Sequence, residues 1–315
     1  MPIVLKLEVN YMSNKSEKNV QKKPKRMKGA KYVIDSASEN IFKICALVAV
    51  ISLLVIIGFV FYKGLTPFVS KGYSFVDFLF GKSWVPSADK FGILPMILAS
   101  IYGTIGSLVV GVPIGILTAV FIAEIAPKPI SKIMSQGVEL LAGIPSVLFG
   151  VFALGVIVPA IQQKLNLPKG QSLLAIIIVL SIMMMPTIIS VAETAIRAVP
   201  KHYKEASLAL GASKIETIFK VILPASKSGI LAAVVLGTGR AIGETMAVIL
   251  VAGNSPVIPT SITDGVRPLT TNIALEMGYA FGTHQEMLFA TGVVLFSFIL
   301  LLNFVLAKIS AKAGN

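Results

Sequence analysis

At 315 residues, 55% hydrophobic and 14% charged, the chain has too few charges to coat a soluble globule of its length. Its mean hydropathy of +0.84 places it among integral membrane proteins. The formal net charge of +13 comes without interleaved basic and aromatic residues, which argues against nucleic acid as a partner.

Residues 1–40 are rich in Lys, Ser and Asn and read as a basic, disordered cytoplasmic tail. Its plain role is an orientation signal, and attraction to anionic membrane lipid is the second reading. Met12 opens the polar stretch MSNKSEKN and offers a second candidate start. The apolar run after the tail lacks a small-x-small exit site, so no cleaved signal peptide is expected. Residues 41–92 then read as a first transmembrane helix, Ile44 to Tyr62, and an external loop. The lone Cys45 leaves no internal disulfide.

Residues 93–308 read as the core, with five further runs able to cross an apolar layer of about 30 Å. Ile93 to Ile125 is longer than one straight span needs, which predicts a tilt, a bend near Pro113 or an extension beyond the bilayer. Within it, Gly111 and Gly115 form a G-x-x-x-G spacing that marks close packing. Val138 to Ile161 is the third span, opened by a Gly-Ile-Pro-Ser break at residues 143–146. Leu173 to Val191 contains the MMMP run at Met183 to Pro186, read as filler plus a kink. Ile230 to Ala252 and Met287 to Ala307 complete the set, and residues 309–315 form the C-terminus. The predicted fold class is all-α, a polytopic membrane protein with six transmembrane helices.

Charge sets the orientation. Of the 28 Lys and Arg residues, 20 fall in the tail, the Lys128 to Lys132 loop, the 197–227 loop and the C-terminus. Alternate loops hold seven, and Arg240 lies inside a span. The positive-inside bias therefore places both termini, and the 195–228 loop, in the cytoplasm.

That loop carries two short helices on local signals. Pro200 suits the first turn of one, and Lys201 to Leu210 continues it without a breaker. Gly211 stands where a left-handed C′ residue ends a helix without steric cost. Ser213 and Glu216 have the S-x-x-E spacing of a capping box, and Pro224 closes the segment. Ala206, Ser207, Ala209, Gly211 and Ala212 leave a surface with little side chain, suited to sitting deep in another protein's groove.

Catalysis finds no footing. His202 and His284 fall on opposite predicted sides of the membrane, and both read as solvated loop residues. No Walker A, H-E-x-x-H or G-x-S-x-G pattern occurs. No metal site is expected on the chain, and any energy from ATP must arrive from another chain.

Polar chemistry concentrates in the fifth span, GILAAVVLGTGRAIGETMAVILVAGN. Arg240 and Glu244 are four apart, which predicts one shared helix face, and Gly237, Gly239 and Gly243 allow another backbone close approach. Two readings stand side by side. Either the two charges form an ion pair that fixes packing, or Arg240 attracts an anion in a pathway while Glu244 holds it in place. Thr238, Thr245 and Asn254 add neutral hydrogen-bonding capacity, and an arginine fork suits a tetrahedral oxyanion.

Glu205-Ala206-Ser207, then Gly211, then Val221-Ile222-Leu223-Pro224 resemble the EAA loop of bacterial ABC-importer permeases. Ser207 stands where that family has a second Ala, and Val221 where it often has Ile. LAGIPSVLFG, IMMMPTIIS and above all GRAIGETMAVILVAGN are similar to the PstC family of phosphate permeases. The resemblance covers most of residues 40–308 and implies a type I importer permease with a MetI-like fold. It implies coupling to an ATPase through Glu205, Ala206, Ser207, Gly211, Ala212 and Pro224. It also moves Arg240, Glu244, Thr238, Thr245 and Asn254 toward the translocation pathway. The implied partners are a PstA-like permease, a PstB-like ATPase dimer holding ATP and Mg, and a PstS-like phosphate-binding protein, in a bacterial cell membrane. A molybdate or sulfate permease is the nearest alternative, and an ion-coupled secondary transporter the more distant one.

Overall fold

The computed structural model describes residues 30–314. The first 29 residues of the expected tail lie outside the described residues. The last eleven residues of that stretch are already helical, because α1 runs Ala30–Ser70. The chain divides into two compact units, up to Gly58 and from Phe59 onward. In the first, Leu47, Val48, Ile51 and Leu54 stand exposed, as on a helix whose solvent is lipid.

The second unit is helical apart from one small hairpin. After α1 come α2 (Phe75–Phe80), β1 (Trp84–Val85) and β2 (Lys90–Phe91), the strands antiparallel with Trp84 opposite Phe91. This replaces the plain external loop expected there. Phe78, Trp84, Phe91, Met96, Leu269 and Met287 are buried together, so aromatic burial rather than strand length holds the hairpin.

The core follows. Helix α3 (Leu94–Val120) keeps Pro113 inside and ends in a π-helical turn, Phe121–Ile125. Helix α4 (Lys128–Gly143) stops at Ile144 and Pro145. The third span then begins at Ser146, later than expected. It comprises α5 (Ser146–Phe152), a π turn (Ala153–Ile157) and α6 (Val158–Lys164). Helix α7 (Leu173–Arg197) is the most buried span. A Cβ on Gly111 would lie 2.7 Å from Met184 Sδ, and one on Gly115 2.9 Å from Ile188 Cγ2. The G-x-x-x-G face of α3 thus lets α7 pack against its backbone, and Met184 of the MMMP run fills the contact.

Helices α8 (Lys201–Ala209) and α9 (Lys214–Thr217) form the predicted pair, and a π turn (Ile218–Ile222) leads into α10 (Leu223–Ala225). Helix α11 (Lys227–Gly243) leaves at 71° to the preceding segment. It is followed by α12 (Met246–Val251), α13 (Leu269–Glu276) and α14 (Thr283–Gly314). Among the described residues five helices are long and apolar enough to cross a membrane, or six if the bent segment ending in α11 counts as one span. The fifth expected span, Ile230 to Ala252, is broken at Glu244 and Thr245, between α11 and α12.

Candidate functional site

Two sites stand at different depths of the bundle. The first is the α8 and α9 pair. Pro200 lies one residue before α8, and Leu210 caps its end. Gly211 takes φ +87°, the left-handed turn that a β-carbon would strain. Ala212 N–H donates to the Ser207 carbonyl (3.2 Å) and Gly211 N–H to that of Leu208 (3.0 Å), the bond pattern of a Schellman ending. Ser213 Oγ accepts from Glu216 N–H (3.2 Å) and Glu216 Oε2 from Ser213 N–H (3.1 Å), so the capping box is complete. Ser207 and Thr217 hydroxyls are 2.9 Å apart, locking α8 to α9.

This pair presents an open surface. Glu205, Ala206, Ala209, Gly211 and Pro224 are exposed, Ser207 and Ala212 half-buried, and Leu210 is 90% exposed. Leu208, Ile215 and Phe219 are exposed as well, so this segment carries several bare apolar side chains. On the opposite side Ile218 and Ile222 are buried with Ala119, Val120, Ile122 and Ile196. His202 is exposed and lies edge-on to Tyr203, 4.7 Å between ring centres.

The second site is the break after α11. Glu244 is extended (φ −70°, ψ 129°) and so leaves the helix that carries Arg240. The shared face expected from their spacing does not exist, and no ion pair joins them among the described residues. Each charge instead meets the end of a helix. Arg240 sits in the last turn of α11, where the carbonyl end of the dipole favours a cation. Its Nη1 also donates to Thr187 Oγ1 over 3.4 Å. Glu244 Oε1 accepts from Ala247 N–H (3.2 Å) at the start of α12, where a carboxylate is favoured. A broken helix at membrane depth thus accommodates both charges, as in transporter spans that bind ions at half-helix ends.

The glycines divide. Gly237 packs against Ile188, whereas a Cβ on Gly239 or Gly243 would meet nothing within 4 Å. Only one of the three supports close approach, and the other two open the face beside Arg240. Thr238 is buried with its hydroxyl donating to Val234 O (2.7 Å), and Thr245 Oγ1 donates to Gly243 O (3.3 Å). Asn254, at φ +57°, donates from Nδ2 to Ile249 O (3.0 Å), and its Oδ1 is buried without a partner.

Sequence reasoning passed over the residues that brace this break. Thr270 Oγ1 donates to the Glu244 carbonyl (3.2 Å) and Ser100 Oγ accepts from Leu269 N–H (2.9 Å). Farther out, the buried Glu276 accepts from Arg267 Nη1 (2.6 Å) and Trp84 Nε1 (2.7 Å), and its Oε2 is 2.8 Å from His284 Nε2. His284 is accordingly half-buried, not a solvated loop residue. An isolated Glu between apolar residues, eight positions before a His, was the available signal.

Residues 111–314 match the family model described as "Binding-protein-dependent transport system inner membrane component". The chain is 42% identical over 84% of its length to the Probable ABC transporter permease protein YqgH of Bacillus subtilis (strain 168), covering 88% of that protein. It is 34% identical to the Phosphate transport system permease protein PstC of Mesorhizobium japonicum, over 76% of this chain and 80% of that one. Among solved structures, a bacterial alginate ABC transporter in complex with its alginate pentasaccharide-bound periplasmic protein aligns with a TM-score of 0.61 at 19% identity. That alignment covers 88% of this chain and 96% of that one. The MetNI methionine ABC transporter in an inward-facing form gives 0.53 at 21%, over 70% and 94%. These structural likenesses bear on the fold alone. With more than half its length matched, the chain belongs to the family of binding-protein-dependent transport system inner membrane components, as a multi-pass permease.

Proposed function

We propose that this permease carries inorganic phosphate inward as one half of an ATP-driven membrane pair. The observation that carries the driven half of this reading is the exposed, small-residue surface from Glu205 to Ala212, held rigid by caps at both ends of its turn. A nucleotide-binding partner seats on that surface, so this end of the bundle faces the cytoplasm, as do both termini. The similarity to the PstC phosphate permease of Mesorhizobium japonicum supports phosphate as the cargo. A PstA-like permease supplies the other wall of the pathway, a PstB-like ATPase dimer holds ATP and Mg, and a PstS-like binding protein delivers phosphate at the hairpin end.

In this reading Arg240 offers its fork to a phosphate oxygen beside the open face at Gly239 and Gly243. Glu244, which would repel an anion on its own, is turned to the α12 N-terminus and leaves Arg240 unopposed. Pro224 and the bend before α11 carry displacement of the pair into the broken span. The chain hydrolyses nothing.

Labelled-phosphate uptake by the reconstituted complex, with and without ATP, tests the proposal. Uptake should require ATP and survive excess sulfate or molybdate. Competition by either oxyanion would reassign the cargo, and ATP-independent uptake driven by an ion gradient would remove the driven reading altogether.

A further inference from the structure

We infer that Lys204 and Glu124 link the α8 and α9 pair to α3, so that this span follows the pair and transmits its displacement to the break at Glu244. The inference rests on the pair being the element that the ATPase moves. Lys204 is then a positioning residue for coupling, acting through Glu124.

The pair is tied to the bundle by the chain at both ends and by one side-chain bond. The chain enters from α7 through residues 198–200 and leaves through the π turn, α10 and the 71° bend into α11. The side-chain bond crosses 80 positions of sequence, where Lys204 Nζ donates to Glu124 Oε2. Glu124 belongs to the π turn that closes α3, a geometry with poorer hydrogen bonds that often marks functional positions. Three elements converge on this turn. Besides Lys204 from α8, the Ile122 carbonyl accepts from Ser131 Oγ of α4 (2.9 Å) and from Arg197 Nη2 at the end of α7 (3.1 Å).

The pair is a poor candidate for simply holding the fold together. Lys204 is 35% exposed, and partly solvated ion pairs contribute roughly 0–1 kcal/mol. Beneath it the contacts of Ile218 and Ile222 with α3 are apolar, and such contacts permit sliding. The ion pair is the directional connection.

At its other end α3 reaches the second site. Ser100 lies 24 positions before Glu124, roughly 36 Å along a helix at 1.5 Å per residue. Its hydroxyl accepts from Leu269 N–H, and the next residue, Thr270, donates to the Glu244 carbonyl. One helix therefore joins the driven surface to the broken span by named bonds at both ends. Coupling needs such a contiguous element, and its demonstration requires a coupling measurement.

The experiment uses the reconstituted complex and reads phosphate transported per ATP hydrolysed for Lys204→Met, Glu124→Gln, the double variant, Lys204→Arg and Gly211→Val. Each of the first two should lower that ratio about fivefold or more, the lower range of measured site-to-site coupling, while phosphate-stimulated ATPase persists. The double variant should be no worse than either single one, and Lys204→Arg should keep the ratio. Wild-type ratios in both single variants, with Gly211→Val uncoupled, overturn the link and leave the docking surface intact. A fully coupled Gly211→Val overturns the docking surface itself. If Lys204→Met does not assemble, Glu124→Gln decides.

Discussion

The α8 and α9 pair and the break at Glu244 are both places where a helix stops, yet they stop for different reasons. At Gly211 every group that ends one helix and starts the next lies within about a dozen residues: Ser207, Leu208, Gly211, Ser213 and Glu216. At Glu244 one local bond, from Ala247 N–H to the Glu244 carboxylate, is joined by Thr187 on α7 and Thr270 on α13. A locally closed turn can move as a block without losing its shape. A turn completed by two other elements changes whenever either of them shifts, which suits a gate more than a handle.

The largest expected effect tests the second region. Arg240→Gln should lower phosphate uptake about tenfold or more, since hydrogen bonds to a charged group contribute roughly 1.5–3 kcal/mol, while the complex still assembles. Loss of assembly instead would make Arg240 a packing residue and the break a structural feature. Next comes Gly211→Val, which forces a β-branched residue into φ > 0 at a cost of about 1–3 kcal/mol. ATPase activity should persist while uptake falls, and normal uptake would overturn the docking surface.

Two milder substitutions sharpen the contrast. Ser213→Ala removes a cap, costing about 1 kcal/mol, and hydrogen exchange should quicken only around 213–217. Thr270→Val strips one donor from the Glu244 carbonyl, costing roughly 0.5–1.5 kcal/mol. Faster exchange should then appear at both 244–247 and 269–272, far apart in sequence, and a response confined to α13 would break the comparison.

The smallest effect is acidic. Asp264 Oδ2 accepts from the backbone N–H of Thr260 (2.8 Å) and Ser261 (2.9 Å), and the Thr260 bond first, then that of Ser261, holds its carboxyl below the usual range. Because the folded value is depressed, this ordering is present above the unfolded carboxylate value and fades as pH falls through the folded one. Protection factors at 260–264 should drop there, while those of α9 respond to Ser213→Ala at neutral pH.

The same contrast explains what could be read without coordinates. The caps at Gly211 and Ser213, four of the six apolar runs and the close-packing face at Gly111 and Gly115 rest on neighbours in sequence, and these are found in place. The spacing of Arg240 and Glu244 misled because it presumed an unbroken helix, and no proline marks the stop at Gly243. The onset of the third span was displaced because α4 is apolar enough to blur its end at Gly143. Lys204, Glu124, Thr270 and Glu276 went unnoticed since each acquires its partner only through folding, across tens of residues.

Trp84 is the sole tryptophan of the chain, 4% exposed, with its indole N–H on the Glu276 carboxylate. An indole beside a carboxylate responds in emission wavelength and yield to rotation, wetting or loss of that bond. The purified chain therefore carries its own fluorophore at the hairpin end, and opening of that end can be followed in real time without attaching a dye.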